Sequence, residues 1–82
     1  MIRRDGYVFK KSTRKNKKYD VYKGGNIITS FGDSRYQQYR DKLGLYKNLD
    51  HNDEKRKSLY YKRHGGRAEK DSAKYFLVIY LW

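Results

Sequence analysis

Two histidines and a small group of carboxylates are the residues that could do chemistry in this chain. Asp50, His51 and Asp53 lie together, whereas His64 lies near the other end of a predicted helix. The two imidazoles are therefore too far apart to share one metal ion unless the chain folds back, and no His-x-x-x-His or paired-cysteine spacing is present. We predict no metal site: Asp50 and Asp53 cap a helix, and His64 stabilises its last carbonyls.

The other common catalytic patterns are also missing from the sequence. No serine or threonine has base and acid partners at a recognisable spacing, and there is no cysteine to act as a nucleophile. The pairs Gly24-Gly25 and Gly65-Gly66 lack the neighbours of a phosphate-binding loop. We therefore predict a protein that is not an enzyme, with no catalytic residue and no cofactor.

Basic residues interleaved with tyrosines are the most prominent chemical feature of the chain. It has 21 Lys and Arg against 9 Asp and Glu, a net charge of +12, and ten tyrosines. Such a surface suits nucleic acid, where bases stack on rings and cations neutralise phosphates. It equally suits an acidic protein, where Tyr, Trp and Arg anchor an interface. We favour protein docking, with nucleic acid as the alternative partner.

The positive charge is concentrated at the start of the chain. Residues 1–18 contain eight bases and one acid. This asymmetry is typical of an arm that lies on an acidic surface. We predict a basic arm over 1–17, held by the protein's own sheet or by a neighbour, and a single small domain over 18–82. The arm residues expected to make contacts are Arg3, Arg4, Arg14 and Lys15.

An α+β fold is predicted from the order of the local patterns. A chain of 82 residues allows one small domain, whose scarce aliphatic residues are supplemented by aromatic rings. Gly24-Gly25 separates two β-prone runs and predicts a hairpin near 18–31, with 6–11 as a third strand. The longest apolar run, 75–82, is too short to span a membrane, so we expect a soluble protein made in the cytoplasm.

Two or three short helices are expected after the hairpin or three-stranded sheet within 6–31. Helical spacing of Tyr36, Tyr39 and Leu43 predicts a helix over about 34–43, begun by Asp33 or Ser34. A second helix over about 52–64 has Asp50 or Asn52 at its N-cap and stops at Gly65-Gly66. The apolar run at 73–82 fits a strand or a helix, and Ser72 as a cap favours a helix over about 72–81.

An ordered series of motifs resembles a family of small basic proteins encoded by large DNA viruses and tailed bacteriophages. That pattern runs Phe-Gly-Asp, an Asp-x-Lys-Arg-Arg helix ending in Arg-His, and a closing segment with an aromatic pair and a terminal Trp. The matching residues are Phe31-Gly32-Asp33, Asp50-His51-Asn52-Asp53-Glu54-Lys55-Arg56-Lys57, Lys62-Arg63-His64-Gly65, Ser72-Ala73-Lys74-Tyr75-Phe76 and Tyr80-Leu81-Trp82.

The resemblance covers about residues 18–82 and implies a viral origin. We therefore expect a minor structural protein, capsid-associated or cement, located in the virion and bound to acidic surfaces of other virion proteins. A genome-packaging protein or an infection regulator absent from particles is the alternative. The expected contacts to acidic partners or phosphates are Arg56, Lys57, Lys62, Arg63 and Arg67, with Tyr80 and Trp82 for docking or core closure, and Phe31, Asp33, Asp50 and Gly65 as architecture.

Overall fold

Four antiparallel strands form one sheet whose spatial order follows the chain. The computed structural model describes residues 1–65 and 68–82. The strands are β1 (Ile2–Arg4), β2 (Tyr7–Lys11), β3 (Lys17–Lys23) and β4 (Asn26–Asp33). Two helices, α1 (Glu54–His64) and α2 (Ala73–Tyr80), come after the sheet, which confirms the predicted α+β class. Neither helix is long and apolar enough to cross a membrane, within the residues that the structure describes.

The predicted hairpin and third strand are both present. Gly24 and Gly25 form the turn between β3 and β4 with φ angles of +59° and +82°, which side chains other than glycine rarely adopt. Lys23 pairs with Asn26 directly beside this turn. The strands continue to the pair Lys17 and Asp33, with a register shift between Val21 and Tyr22.

The segment 1–17 is part of the sheet rather than an arm outside the domain. β1 pairs with β2, and β2 pairs with β3. The Phe9 side chain of β2 is completely buried in the core. Lys18, the last of the eight bases, is also buried. Of the two predicted ways of holding this segment, the structure shows the protein's own sheet, because apolar residues between the bases tie the segment to the core.

The two helices behind the sheet begin at side-chain caps. The Asp53 carboxylate accepts hydrogen bonds from the backbone N–H groups of Lys55 and Arg56, so Asp53 caps α1 as predicted, and the other predicted caps, Asp50 and Asn52, are wrong. Gly65 ends α1 with a φ of +70°. The Ser72 hydroxyl accepts from the Tyr75 N–H at 3.2 Å, and 73–80 is helical as the cap predicted.

The predicted helix over 34–43 is absent, and a loop leads instead to a 3₁₀ turn at Lys47–Leu49. The backbone N–H groups of Arg40 and Lys42 donate to the carbonyls of Leu81 and Tyr80, at 3.1 and 2.9 Å. A helix would have used those same N–H groups for bonds within the segment. Tertiary hydrogen bonds therefore replace the helical ones, although tyrosines recur at helical spacing.

The core lies between the sheet and α2 and is mainly aromatic. Phe31 of β4 stacks on Phe76 of α2, with ring centroids 5.6 Å apart, and Phe9 meets Tyr80 edge to face at 4.9 Å. Stacked and edge-to-face pairs add roughly 0.5–1.5 kcal/mol each beyond the area that they bury. Aromatic rings thus provide the stabilisation that few aliphatic residues can supply in so short a chain.

Candidate docking cleft

A cleft of about 590 Å³ lies between α1 and the loop that follows β4. The loop side consists of Arg35, Tyr36 and Gln37, and the helix side includes Arg56, Tyr60 and Arg63. Positions 56, 60 and 63 lie on one face of α1 because four and then three residues separate them. The cleft therefore combines guanidinium groups from two elements with aromatic rings.

Two stacked rings form part of the cleft wall. Tyr60 and Trp82 stack in parallel, with centroids 4.3 Å apart and an angle of 2° between the ring planes. Two imidazoles outside the cleft lining flank this pair: the ring centroid of His64 lies 4.6 Å from that of Tyr60, and the centroid of His51 lies 5.2 Å from that of Trp82. Burial raises the pKa of Tyr60, so its hydroxyl stays neutral at physiological pH. The stacked pair gives the cleft a flat aromatic surface beside its arginines.

Two of the three arginines have no acidic partner of their own. Arg35 donates to both carboxylate oxygens of Asp33, at 3.0 and 2.8 Å, and this pairing lowers the pKa of Asp33 to about 2. Arg56 donates to the Gln37 side-chain oxygen at 2.8 Å. Neither Arg56 nor Arg63 forms an ion pair within residues 1–65 and 68–82. Their charge remains available to an acidic group that enters the cleft.

Lys18 holds the loop that forms one side of the cleft. Its side chain is only 2% exposed, and its ammonium donates to the Tyr36 carbonyl at 2.9 Å and to the Gln38 side-chain oxygen. Burial lowers the pKa of Lys18, and the nearby carboxylate of Asp41 opposes this effect. This lysine therefore has a structural role, which its position in the base-rich stretch 1–18 did not indicate.

The same polar network continues through the half-buried carboxylate of Asp50 and the buried carboxylate of Asp41. Gln38 donates to Asp50 at 2.5 Å. Asp41 accepts from the Tyr19 hydroxyl at 2.6 Å and from the backbone N–H groups of Leu43 and Tyr46 at 2.9 and 2.8 Å. Buried polar groups cost little when their partners are complete, so this network holds the loop in one conformation.

A second cavity of about 260 Å³ adjoins the cleft. The two spaces share Tyr36, Gln37 and Trp82 as lining residues. The lining of the second cavity combines apolar residues with charged ones: Phe31, Ala73, Leu77 and Leu81 lie beside Lys17, Lys18 and Asp33. The apolar side of this cavity and the arginine-lined cleft thus lie next to each other, and Trp82 lines both.

The residues predicted to contact acidic partners do not all lie in the cleft. Arg56 and Arg63 both line the cleft. The Lys57 ammonium lies 4.4 Å from the centre of the Tyr39 ring, and Lys62 is exposed on α1 but does not line the cleft. Arg67 lies outside the described residues, so its predicted contact cannot be placed.

The docking and architectural residues also have defined surroundings. Trp82 belongs to the cleft, whereas Tyr80 is buried in the core and donates to the Asp5 carboxylate at 2.6 Å. Phe31 is buried, Asp33 accepts from the Arg35 N–H in a turn, Asp50 lies in the polar network, and Gly65 ends α1.

The four residues predicted as arm contacts are exposed. Arg3 belongs to β1, and Arg14 and Lys15 lie in the loop between β2 and β3. Arg4 donates to the Lys42 carbonyl at 2.7 Å, which ties β1 to the loop after β4. None of the four lines the cleft.

Sequence reasoning missed Arg35, Tyr36 and Leu59 as parts of one site. Tyr36 is 64% exposed and Leu59 is 48% exposed, and both line the cleft. The one available signal was Asp33, two residues before Arg35, because Asp often starts a turn that positions the residues after it. Arg35 and Tyr36 come close to α1 because of the path that the loop takes after β4.

Within the described part of the chain, no group of three His, Cys, Asp or Glu side chains could hold a metal ion. Comparisons with family models, with curated proteins and with solved structures find no match to this chain, so the resemblance to viral proteins stays a prediction.

Proposed function

We propose that this chain is a docking protein that binds an acidic protein surface through the cleft. In the setting that the motif resemblance implies, it is a minor structural protein, capsid-associated or cement, of a virus particle. The observation that supports this proposal is the meeting of Arg56 and Arg63 with the Tyr60–Trp82 stack around one concave space. The role is one of binding rather than catalysis.

Interface energetics favour this use of the cleft. Trp, Tyr and Arg are the residues most often found to dominate binding energy in protein interfaces, especially in desolvated pockets. Arginine also binds carboxylates through two parallel hydrogen bonds, which fixes orientation as well as affinity. The net charge of +12 would accelerate the encounter with an acidic partner.

A binding titration with polyglutamate tests the cleft itself. The double variant Arg56→Gln/Arg63→Gln should bind roughly tenfold more weakly, because two charge-assisted hydrogen bonds are lost. The matched control is Lys55→Gln/Lys62→Gln, which removes the same charge from the same helix outside the cleft. Equal losses in the two variants would show a general charge effect and contradict the proposed site.

Quantitative mass spectrometry tests the particle role. Copies of this chain should be counted against the major shell protein in purified, nuclease-treated particles. A fixed ratio that matches a set of symmetry-related positions is expected of a structural or cement protein. Absence from particles would overturn this role and favour a regulator made during infection.

Nucleic acid is the second candidate partner, favoured by the bases next to the cleft. Lys17 lines the second cavity, and Arg14 and Lys15 precede it in an exposed loop. Tyr36, which is 64% exposed, could stack on a base. A salt series separates the two candidates: neutralising several phosphates requires a steep linear fall of log affinity with log salt, and a shallow slope on DNA and RNA would exclude this role.

A further inference from the structure

Building on the proposed docking function, we infer that the cleft and its neighbouring cavity together bind an acidic peptide segment with one large apolar anchor residue. The anchor occupies the apolar cavity, and acidic side chains on the same segment bind Arg56 and Arg63. This inference specifies the partner: an acidic surface alone would use only the first of the two spaces.

The chemistry of the second cavity supports an apolar anchor. Leu77 is partly exposed in its lining, next to the almost completely buried Phe31 and Leu81, and the small side chain of Ala73 leaves space that a larger one would fill. At ~30 Å³ per water molecule, its volume of about 260 Å³ equals that of roughly nine waters, enough for one leucine or phenylalanine side chain. Filling it with an apolar group removes apolar surface from water on both partners.

The shared lining residues set the spacing between anchor and acids. Because Trp82 and Tyr36 line both spaces, a chain that leaves one space enters the other directly. In an extended segment, alternate side chains point to the same side and lie about 7 Å apart. We therefore place the first acidic residue two positions from the anchor, where it can reach the arginines.

The sole tryptophan of the chain offers a direct test, because Trp82 lies between the two spaces. Its fluorescence should be followed while two nine-residue peptides are titrated, both with glutamates at alternate positions and differing only in a central leucine or serine. The leucine peptide should bind roughly tenfold more tightly, as expected from burying one aliphatic side chain. Equal affinities would overturn the anchor and leave the docking proposal intact.

A cavity-filling variant locates the anchor. Ala73→Leu should abolish the preference for leucine over serine and leave the affinity for the serine peptide within about twofold of the wild type. Retention of the preference in this variant would place the anchor elsewhere and contradict the inference. If the variant does not fold, the comparison of the two peptides on the wild-type protein still tests whether an apolar anchor is bound. Failure of both peptides to bind would count against the docking function as well.

Discussion

The aromatic half of this molecule and its polar half are stabilised in different ways. Between the sheet and α2, rings such as Phe9, Phe31 and Phe76 exclude water and need only approximate complementarity. The loop at 34–52 is held instead by a few hydrogen bonds of fixed direction, made by Lys18 of β3 and by Asp41 within the loop. The stability of the aromatic half thus depends on buried area, whereas that of the polar half depends on which groups donate and accept hydrogen bonds.

This difference explains where the cleft lies. The wall that carries Arg35 and Tyr36 belongs to the polar half, where the backbone has no regular secondary structure. The other wall is α1, whose side chains are all at least partly exposed. A binding surface between two such elements depends on the polar network for its shape, whereas the aromatic core supplies most of the stability.

Phe31→Ala should have the largest effect. The ring is completely buried between Tyr19 and Phe76, with centroid distances of 5.4 and 5.6 Å. Its removal leaves a cavity and should lower the free energy of unfolding by about 3–5 kcal/mol. Urea unfolding followed by circular dichroism measures this change. A loss under about 1 kcal/mol would mean that the aromatic half does not dominate stability.

Asp41→Asn should cost about 2–3 kcal/mol although the side chain keeps its shape. The carboxylate accepts hydrogen bonds from Tyr19, Leu43 and Tyr46, and an amide nitrogen could accept none of them. The control Asp33→Asn, in the turn before the cleft, should show a smaller loss. Similar losses from the two substitutions in urea unfolding would contradict a special role for the buried network.

Leu81→Met should cost less than about 1.5 kcal/mol, because the exchange conserves volume in a buried apolar site. This substitution is the counterpart of Asp41→Asn, since both keep the approximate size of the side chain. The same unfolding experiment should therefore rank it well below the aspartate variant. The opposite ranking would show that packing detail, rather than hydrogen-bond direction, limits substitution in this fold.

The smallest effect is a pH dependence carried by His51. Burial and then the nearby Arg56 lower the pKa of His51, whose Nδ1 accepts a hydrogen bond from the Asp53 N–H at 3.0 Å. The buried Nε2 has no partner among the described residues. As the pH falls below about 6.5, the unfolded chain takes up the proton first, so this contribution to stability is lost from that pH downward.

His51→Gln should flatten the dependence of melting temperature on pH between about 7.5 and 5.5, the range in which histidine titrates. The control is His64→Gln, which removes the exposed imidazole at the end of α1 and should keep the slope of the wild type. If the slope is unchanged in both variants, protonation of His51 does not destabilise the folded protein.

Local pattern was sufficient for some elements and insufficient for others. The hairpin turn occurs at Gly24-Gly25, α2 begins after the cap Ser72, and α1 ends at Gly65, all as predicted. Each of these features depends only on the residue's own backbone or on its immediate neighbours. The helix over 34–43 failed because its N–H groups bond to carbonyls about forty residues away in the sequence. In the basic segment before residue 18, the strand expected at 6–11 is present, whereas β1 and its pairing with β2 were not predicted.

The candidate site could be predicted only in part. Arg56 and Arg63 were among the five basic residues expected to contact acidic partners, and their seven-residue spacing places both on one face of α1. Arg35 and Tyr36 join them through the loop path that Lys18 fixes, and no spacing in the sequence indicates that contact.

The sequence by itself determined the basic charge, the aromatic composition, the hairpin and the positions of both helices, because these follow from residue type and from neighbours a few positions away. Only the tertiary structure decided that Lys18 is buried, that the 34–43 segment is not helical, and that three arginines meet the Tyr60–Trp82 stack. The physical reason is that long-range hydrogen bonds and burial exceed the small local preferences of a chain segment.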